Sequence, residues 1–283
     1  MENKRVLVIG GTGYIGKEIV RLLRSKNYEV FVLSKQPGNG PFYLEGSVLD
    51  KSFLLDNLID FDIIIYLVSI IRTLDKSKYK ENVLGLKNTL EVMKTNNISK
   101  IIYFSTQNIF LKNTGGYGNS KKFAEKIIKN SSSDYIILRP NYVYGIDKNN
   151  DIYRLYNIIK KTGICPVIGS GETKFQPVNK TDIAEFILKK LEKWKGKNEV
   201  NISGPDTSIN QIIRIIKQET KLGFIKIHIP FSLLKIFKFL IPFDVDGYNE
   251  DRISNSNTVK YDTDLREDIK SMVRLDRIKH RKY

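Results

Sequence analysis

With 283 residues, 47 Lys plus Arg against 31 Asp plus Glu and a net charge of +16, the chain is strongly basic and long enough for a sizeable core. One cysteine, Cys165, and two distant histidines, His228 and His280, exclude an intramolecular disulfide and a zinc-type ligand set, so hydrolytic metal chemistry is not expected. The lysines are spread among many Asn and Ile with no nucleic-acid-binding motif, and neither a charged leader nor a bilayer-spanning apolar stretch is read, so the expectation is a cytoplasmic protein with no nucleic-acid partner and no transmembrane segment.

The first apolar run, residues 6 to 9, enters "GGTGYIG" (10 to 16) and leaves it in helical period. Gly10 permits a tight turn, Gly13 lets backbone approach a pyrophosphate, and Gly16 allows close helix packing. The whole loop, Gly10, Gly11, Thr12, Gly13, Tyr14, Ile15 and Gly16, is therefore expected to cradle a dinucleotide; a simple tight turn is the alternative. The second run, 29 to 33, ends at Ser34 and Lys35. A site for a free ribose 2′-hydroxyl places an acid there, so a hydroxyl and a cation favour NADP over NAD, unless Lys35 is only one more surface lysine.

Further apolar runs at 62 to 68, 100 to 105 and 135 to 139 alternate with helix-period segments such as 82 to 95 and 117 to 129. Such alternation predicts an α/β fold, a doubly wound parallel sheet with helices on both faces. Beyond residue 145, Gly163, Pro166, Gly169, Gly171 and Pro177 break the pattern. The domain reading is thus 1 to 145 for the dinucleotide, with 177 to 203 returning to it, and 146 to 176 plus 204 to 283 as a smaller substrate-binding part. Within the latter, "PFSLLKIFKFLIPF" (230 to 243) reads either as a helix packed inside the protein or as a basic amphipathic contact with a membrane surface, and the basic C-terminal segment reads as a tail without fixed structure.

In "GGYGNSKKFAEKIIKN", Tyr117 and Lys121 lie four apart on one helical face that Ala124 and Ile128 continue. A tyrosine with an ordinary pKa of about 10 acts as acid or base near neutrality only if its phenolate is stabilised, and a cation one turn away supplies part of that. A packed tyrosine beside a snorkelling lysine is the alternative. Upstream, Ser105 and Thr106 end the predicted strand, and the carboxyl ends of parallel strands are where ligands bind, so a hydroxyl there can hydrogen-bond a substrate oxygen beside Tyr117; a helix or turn cap is the alternative.

These stretches, taken together, resemble the extended short-chain dehydrogenases/reductases, the superfamily of nucleotide-sugar epimerases, dehydratases and 4-keto reductases, to about residue 210. "GGTGYIG" is similar to the cofactor loop, "GSVLD" (46 to 50) to the adenine-side turn, "ENVLGLKNTLEVM" (81 to 93) to an Asn-bearing helix, "FSTQNIF" to the Ser/Thr strand end, "YGNSK" to the Tyr-x-x-x-Lys pair and "ILRPNYVYG" (137 to 145) to the strand leading to the substrate part; "PVNKTDIAEFIL" (177 to 188) and "NISGPDTSINQII" (201 to 213) look like later strands and helices.

The resemblance implies a Rossmann-type fold and assigns Tyr117 the proton at a carbonyl or alcohol, Lys121 the ribose contact and control of that proton, and Thr106 a substrate hydrogen bond. It places Ser47 and Val48 at the adenine, Leu67 and Val68 along the cofactor, and Asn82 and Asn141 towards the nicotinamide. Ser47 stands where many relatives have Asp. Gln107 and Asn108 replace the acid/base pair of the dehydratases, which argues against elimination. The implied activity is NADP- or NAD-dependent reduction of a keto-sugar or 4-epimerisation on a nucleotide-sugar, with a homodimer as the family's usual assembly. A non-catalytic dinucleotide-binding regulator or structural subunit on the same fold is the other reading.

Overall fold

Strands that are apolar on both sides bury themselves only when helices cover the sheet above and below. The computed structural model, which describes residues 4–36, 38, 40–145, 150–236, 250–254 and 257–280, has this arrangement. The first half alternates β1 (Arg5–Ile9), α1 (Gly16–Ser25), β2 (Glu29–Ser34), β3 (Tyr43–Glu45), α2 (Lys51–Asn57), β4 (Ile63–Tyr66), α3 (Tyr79–Thr95), β5 (Lys100–Phe104), α4 (Gly115–Lys129) and β6 (Asp134–Pro140). The second half adds β7 (Tyr142–Tyr144), α5 (Asp151–Thr162), β8 (Ile164–Ile168), β9 (Lys174–Phe175), β10 (Pro177–Asn179), α6 (Lys180–Glu192), β11 (Asn198–Ser203), β12 (Thr207–Ser208), α7 (Ile209–Thr220), β13 (Ile225–Ile229), α8 (Phe231–Ile236), β14 (Thr258–Lys260) and α9 (Leu265–His280).

Eight strands form one parallel sheet in the order β14-β11-β6-β5-β4-β1-β2-β3. This is the expected Rossmann-type sheet, widened by β11 and β14. Alternation along β1 decides which layer each side chain joins. Val6 and Val8 pack with Ile19 and Leu23 of α1 and Ile183 and Ile187 of α6; Leu7 and Ile9 pack with Leu54 of α2, Leu86 and Met93 of α3 and Ile128 of α4. In register, Ile9 meets Leu33 on one side and Tyr66 on the other, so the strand ends lie level where the order reverses between β1 and β4. A crevice opens at such a reversal.

A third core unites α5, β8, α7 and α9 through Ile152, Ile159, Val167, Ile212, Ile216 and Met272, with Cys165 buried among them. The C-terminal segment is therefore helical through α9, while 281 to 283, the end of the basic tail, lie outside the described residues. Among its many charges, Ile269, Met272 and Val273 recur at helical spacing and are buried, and Asp276 accepts hydrogen bonds from Tyr153 (2.9 Å), Tyr156 (3.0 Å) and Lys160 (2.6 Å). Of the 230 to 243 stretch, only its start and α8 are described; 237 to 243 lie outside the described residues. Among the described residues no helix is long and apolar enough to cross a membrane.

Candidate active site

The glycine loop bends directly off β1. Gly10 has φ +87°, a conformation that a side chain resists, and its amide donates to Leu33 of β2 at 2.8 Å. A Cβ on Gly16 would sit 2.3 Å from the Gly10 carbonyl oxygen and 2.7 Å from Gly11 Cα, so α1 can begin this close to the loop only from glycine. Around Gly13 the one near atom is the Gly10 oxygen, 3.1 Å from where a Cβ would stand; its other side is open. No side chain caps α1 at Ile15, and the Lys17, Glu18 and Ile19 amides donate to the Gly13 and Ile15 carbonyls, so an anion here would meet the loop amides that precede them. A dinucleotide pyrophosphate fits this cradle.

The loop's flanks are tied down. Thr12 Oγ1 and Ser34 Oγ are hydrogen-bonded at 2.8 Å, Ser34 also accepts from the Gln36 amide at 3.0 Å, and Lys35 is exposed beside them. Ser34 pairs in register with Glu45 of β3, an acid whose proximity was not readable from the chain order. The Gly46 amide donates to the Ser34 carbonyl at 2.9 Å and starts the turn holding Ser47 and Val48; the Val48 carbonyl accepts from Asn88 at 3.1 Å. Across the reversal, Val68 N and Leu67 Cβ lie 3.3 and 3.4 Å from where a Gly10 Cβ would stand, so the ends of β1 and β4 share the crevice. Tyr14 carries the Lys180 ammonium 4.7 Å from its ring centroid, joining the loop to α6.

Helix α4 presents Tyr117, Lys121 and Glu125, each four after the last, towards the sheet. Lys121 is 2 % exposed; its Nζ donates to the Phe104 carbonyl at 2.5 Å and sits 4.6 Å from the Tyr103 ring centroid and 6.0 Å from that of Tyr117. Burial pushes its pKa down to about 7, against the pull of Glu125. Tyr117 is half-buried with its phenol deep in the fold, and the hydroxyls of Ser69 and Thr106 beside it favour the phenolate. Burial outweighs them and holds the phenol above its ordinary value. The stabilisation expected from Lys121 is thus not dominant in the protein alone, because the ammonium is turned to the Phe104 carbonyl.

A buried ammonium of this kind has a stability signature. Between about 7 and the ordinary lysine value of 10.5 the unfolded chain binds the proton that the folded chain releases, so stability from this group rises with pH across that window. Lys121→Met is expected to unfold at higher urea concentration than wild type at pH 7, with the gap closing towards pH 10. A midpoint that falls at pH 7 would show that the lysine stabilises the fold.

Asn82 accepts from the Ile70 amide (2.6 Å) and donates to the Ile70 carbonyl (3.0 Å) and Ser120 Oγ (3.1 Å), bracing the loop after β4 against α4. Asn141 donates to Gln107 Oε1 (2.8 Å) and the Arg252 carbonyl (2.7 Å) and accepts from the Gln176 amide (3.2 Å). Gln107 in turn donates to Arg139 and Ile202 carbonyls, each at 3.2 Å, and to Ser203 Oγ at 3.0 Å. These amides shape the crevice by holding backbone, and Gln107 brings no acid or base to it.

Sequence reasoning missed four contributors. Ser69, three residues past β4, stands to Tyr117 as Thr106 does; a hydroxyl at a second strand end was the available signal. The Tyr103 hydroxyl is buried without a protein partner, as is that of Ser105, which the sequence did single out, so unspent polar groups gather at the end of β5. Glu125 continues the four-residue spacing and is held by Arg139 through Nε (2.7 Å) and Nη2 (2.5 Å); Arg139 also pairs with Glu199, which Lys129 reaches at 2.8 Å. A cavity of about 570 Å³ opens elsewhere, beside Asp206, Arg214, Asp262 and Arg266, and shares no lining residue with either cluster.

A model of the NAD dependent epimerase/dehydratase family matches residues 6–203. The chain is 26 % identical over 259 residues, 82 % of its length and 77 % of the other's, to the N-acetyl-alpha-D-glucosaminyl-diphospho-ditrans,octacis-undecaprenol 4-epimerase of Escherichia coli O157:H7. It is 30 % identical over 258 residues, 77 % of this chain and 83 % of the other, to a Methanocaldococcus jannaschii protein whose proposed activity is UDP-glucose 4-epimerisation. Its fold is similar to that of the Thermotoga maritima UDP-glucose 4-epimerase crystallised with UDP-glucose, at TM-score 0.81 and 18 % identity over 97 % of this chain and 99 % of that one.

Proposed function

The chain belongs to the NAD dependent epimerase/dehydratase family, and we propose that it acts on a nucleotide-activated sugar as a keto-sugar reductase or 4-epimerase. The observation that carries this is one crevice bordered by an open glycine loop and by a deep Tyr117 phenol with Thr106 and Ser69 beside it and Lys121 four residues on. When bound, the dinucleotide supplies the hydride acceptor or donor. The loop from Gly10 to Gly16 holds its pyrophosphate, Ser34 and Lys35 face the adenosine ribose, Ser47 and Val48 the adenine, and Leu67 and Val68 the length between. Asn82 and Asn141 hold the backbone on the nicotinamide side.

Tyr117 passes a proton to or from the sugar oxygen, Thr106 orients that oxygen, and Lys121 contacts the nicotinamide ribose and controls the phenol. With Gln107 committed to β6 and β11, no side chain at that position pulls a second proton, so hydride transfer proceeds without elimination. Residues 146 to 176 and 204 to 283 are assigned the sugar and its diphosphate. Leu84 of α3 and Phe123 of α4, both exposed, support a homodimer through these two helices. A peripheral membrane contact stays with the basic stretch that begins at Pro230.

Purified protein incubated with NAD and UDP-glucose or a UDP-4-keto-sugar, with products separated by chromatography, tests the assignment. Interconversion of sugars or stoichiometric coenzyme consumption is expected; a protein that retains dinucleotide yet leaves every nucleotide-sugar unchanged would refute it. The coenzyme choice has its own test. If Lys35 faces a 2′-phosphate, NADPH binds more tightly than NADH, and Lys35→Asp reverses the order by about tenfold or more. An equal effect on both coenzymes would place the lysine away from the ribose.

A further inference from the structure

We propose that the outward face of the β8/β13 ribbon is a docking surface for an anionic membrane. The two strands run parallel with Ile225 opposite Ile164, Ile227 opposite Pro166 and Ile229 opposite Ile168. Alternation therefore sends Cys165 and Val167 into the third core and gathers six apolar residues on the other side. That side faces solvent: Ile225 is 71 %, Ile227 47 % and Ile164 40 % exposed, and Leu233 of the adjoining α8 is exposed as well. Strands covered on one side ordinarily turn polar residues outward; β8 is covered by the third core while β13 is exposed on both sides, Lys226 and His228 included, and both strands turn isoleucine to the shared outer face.

The charge around it names the occupant. Neither 152 to 171 nor 220 to 236, the segments that contain the two strands, has a single Asp or Glu. Lys161 at the end of α5 and Lys221 at the end of α7 are exposed, and the Ile225 amide donates to the Gly163 carbonyl at 2.9 Å, which brings both helix ends to the start of the ribbon. Lys226, on β13 itself, is held by the neutral Asn210 amide oxygen at 2.8 Å. Of the described acids that flank these segments, Asp151 pairs with Arg72 and Arg154 and Glu219 with Arg266, while Glu172 accepts from the neutral Asn210 amide. A second copy of the ribbon would bring the same lysines against one another with no acid in either segment, whereas lipid phosphates neutralise them while the isoleucines enter the headgroup boundary. This surface is independent of the catalytic reading.

Flotation of the full chain with vesicles of phosphatidylcholine alone, or of equal parts phosphatidylcholine and phosphatidylglycerol, tests it. Wild type is expected to float with the mixed vesicles only and to be released by salt. Ile225→Asp with Ile227→Asp, and separately Lys161→Glu with Lys221→Glu, should each lower the floated fraction by about tenfold or more with thermal midpoints unchanged. Absence of wild-type flotation, or variants that float like wild type, would overturn the proposal. So would a thermal midpoint lowered by the isoleucine variant, which would mean the chain itself covers this face, or sedimentation showing a dimer that this variant dissolves while vesicles bind neither form.

Discussion

Tyr117→Phe is expected to lower turnover of the nucleotide-sugar by about 10²- to 10⁴-fold, roughly 3 to 5 kcal/mol of barrier, while folding and dinucleotide affinity stay at wild-type values. The ring remains, so packing against α3 and β5 remains; only the hydroxyl facing Ser69 and Thr106 is lost. The phenol is protonated at neutral pH, as an ordinary tyrosine is, and burial raises its pKa further, so it can donate to a carbonyl oxygen, whereas accepting a proton from an alcohol needs the phenolate. Lys121→Met should differ by weakening the dinucleotide as well, since the same ammonium is assigned to the ribose. Steady-state kinetics beside coenzyme titration separates the two variants. If Tyr117→Phe matches wild type on a substrate that wild type turns over, the phenol is not the proton carrier; if neither protein turns over any sugar while both bind dinucleotide, the chain is a regulator or structural subunit.

Arg139→Met should cost about 3 to 5 kcal/mol of unfolding free energy, the largest stability loss anticipated for a single change outside the apolar cores. Arg139 and Glu125 are both buried and joined by two hydrogen bonds, so removing the guanidinium strands a carboxylate beneath α4, with Lys129 at 3.9 Å and buried Lys121 as the remaining cations nearby. The outer link of the chain, Lys129 to Glu199, is partly exposed and contributes under about 1 kcal/mol. Glu125→Leu combined with Arg139→Met should recover most of the loss, because a buried pair replaced by apolar groups is often neutral. Urea unfolding of the two single variants and the double closes the cycle. Strictly additive losses would show that the two side chains act separately.

Much of this architecture was readable from periodicity. Runs at 29 to 33, 100 to 105 and 135 to 139 became β2, β5 and β6 nearly residue for residue, because strands buried on both sides leave an apolar signature that polar surroundings cannot imitate. The three-residue edge strands β3 and β14 left none, being short and half-exposed. Helix α9 hid its stripe of Ile269, Met272 and Val273 among alternating charges. In the crevice, Tyr117 and Lys121 were legible because helical spacing joins them within one turn. Their partners were not, since Ser69 and Arg139 arrive from other strands and Glu125 passes for an ordinary surface acid until Arg139 is seen to cover it.

The strand order also dictates how the sheet can grow as the chain leaves the ribosome. After β1, each new strand joins an edge that already exists: β2 and β3 on one side, then β4, β5, β6, β11 and β14 in succession on the other. Nothing has to be inserted between strands already paired, so six of the eight can assemble by simple accretion once residue 140 has emerged. One layer lags behind. Ile102, Phe104, Ile136 and Leu138 wait for Ile183, Phe186 and Ile187 of α6, forty and more residues later in synthesis, and until then this half of the sheet is bare. Nascent chains stalled between β6 and α6 are the ones a chaperone should hold, and release should coincide with the appearance of residue 192.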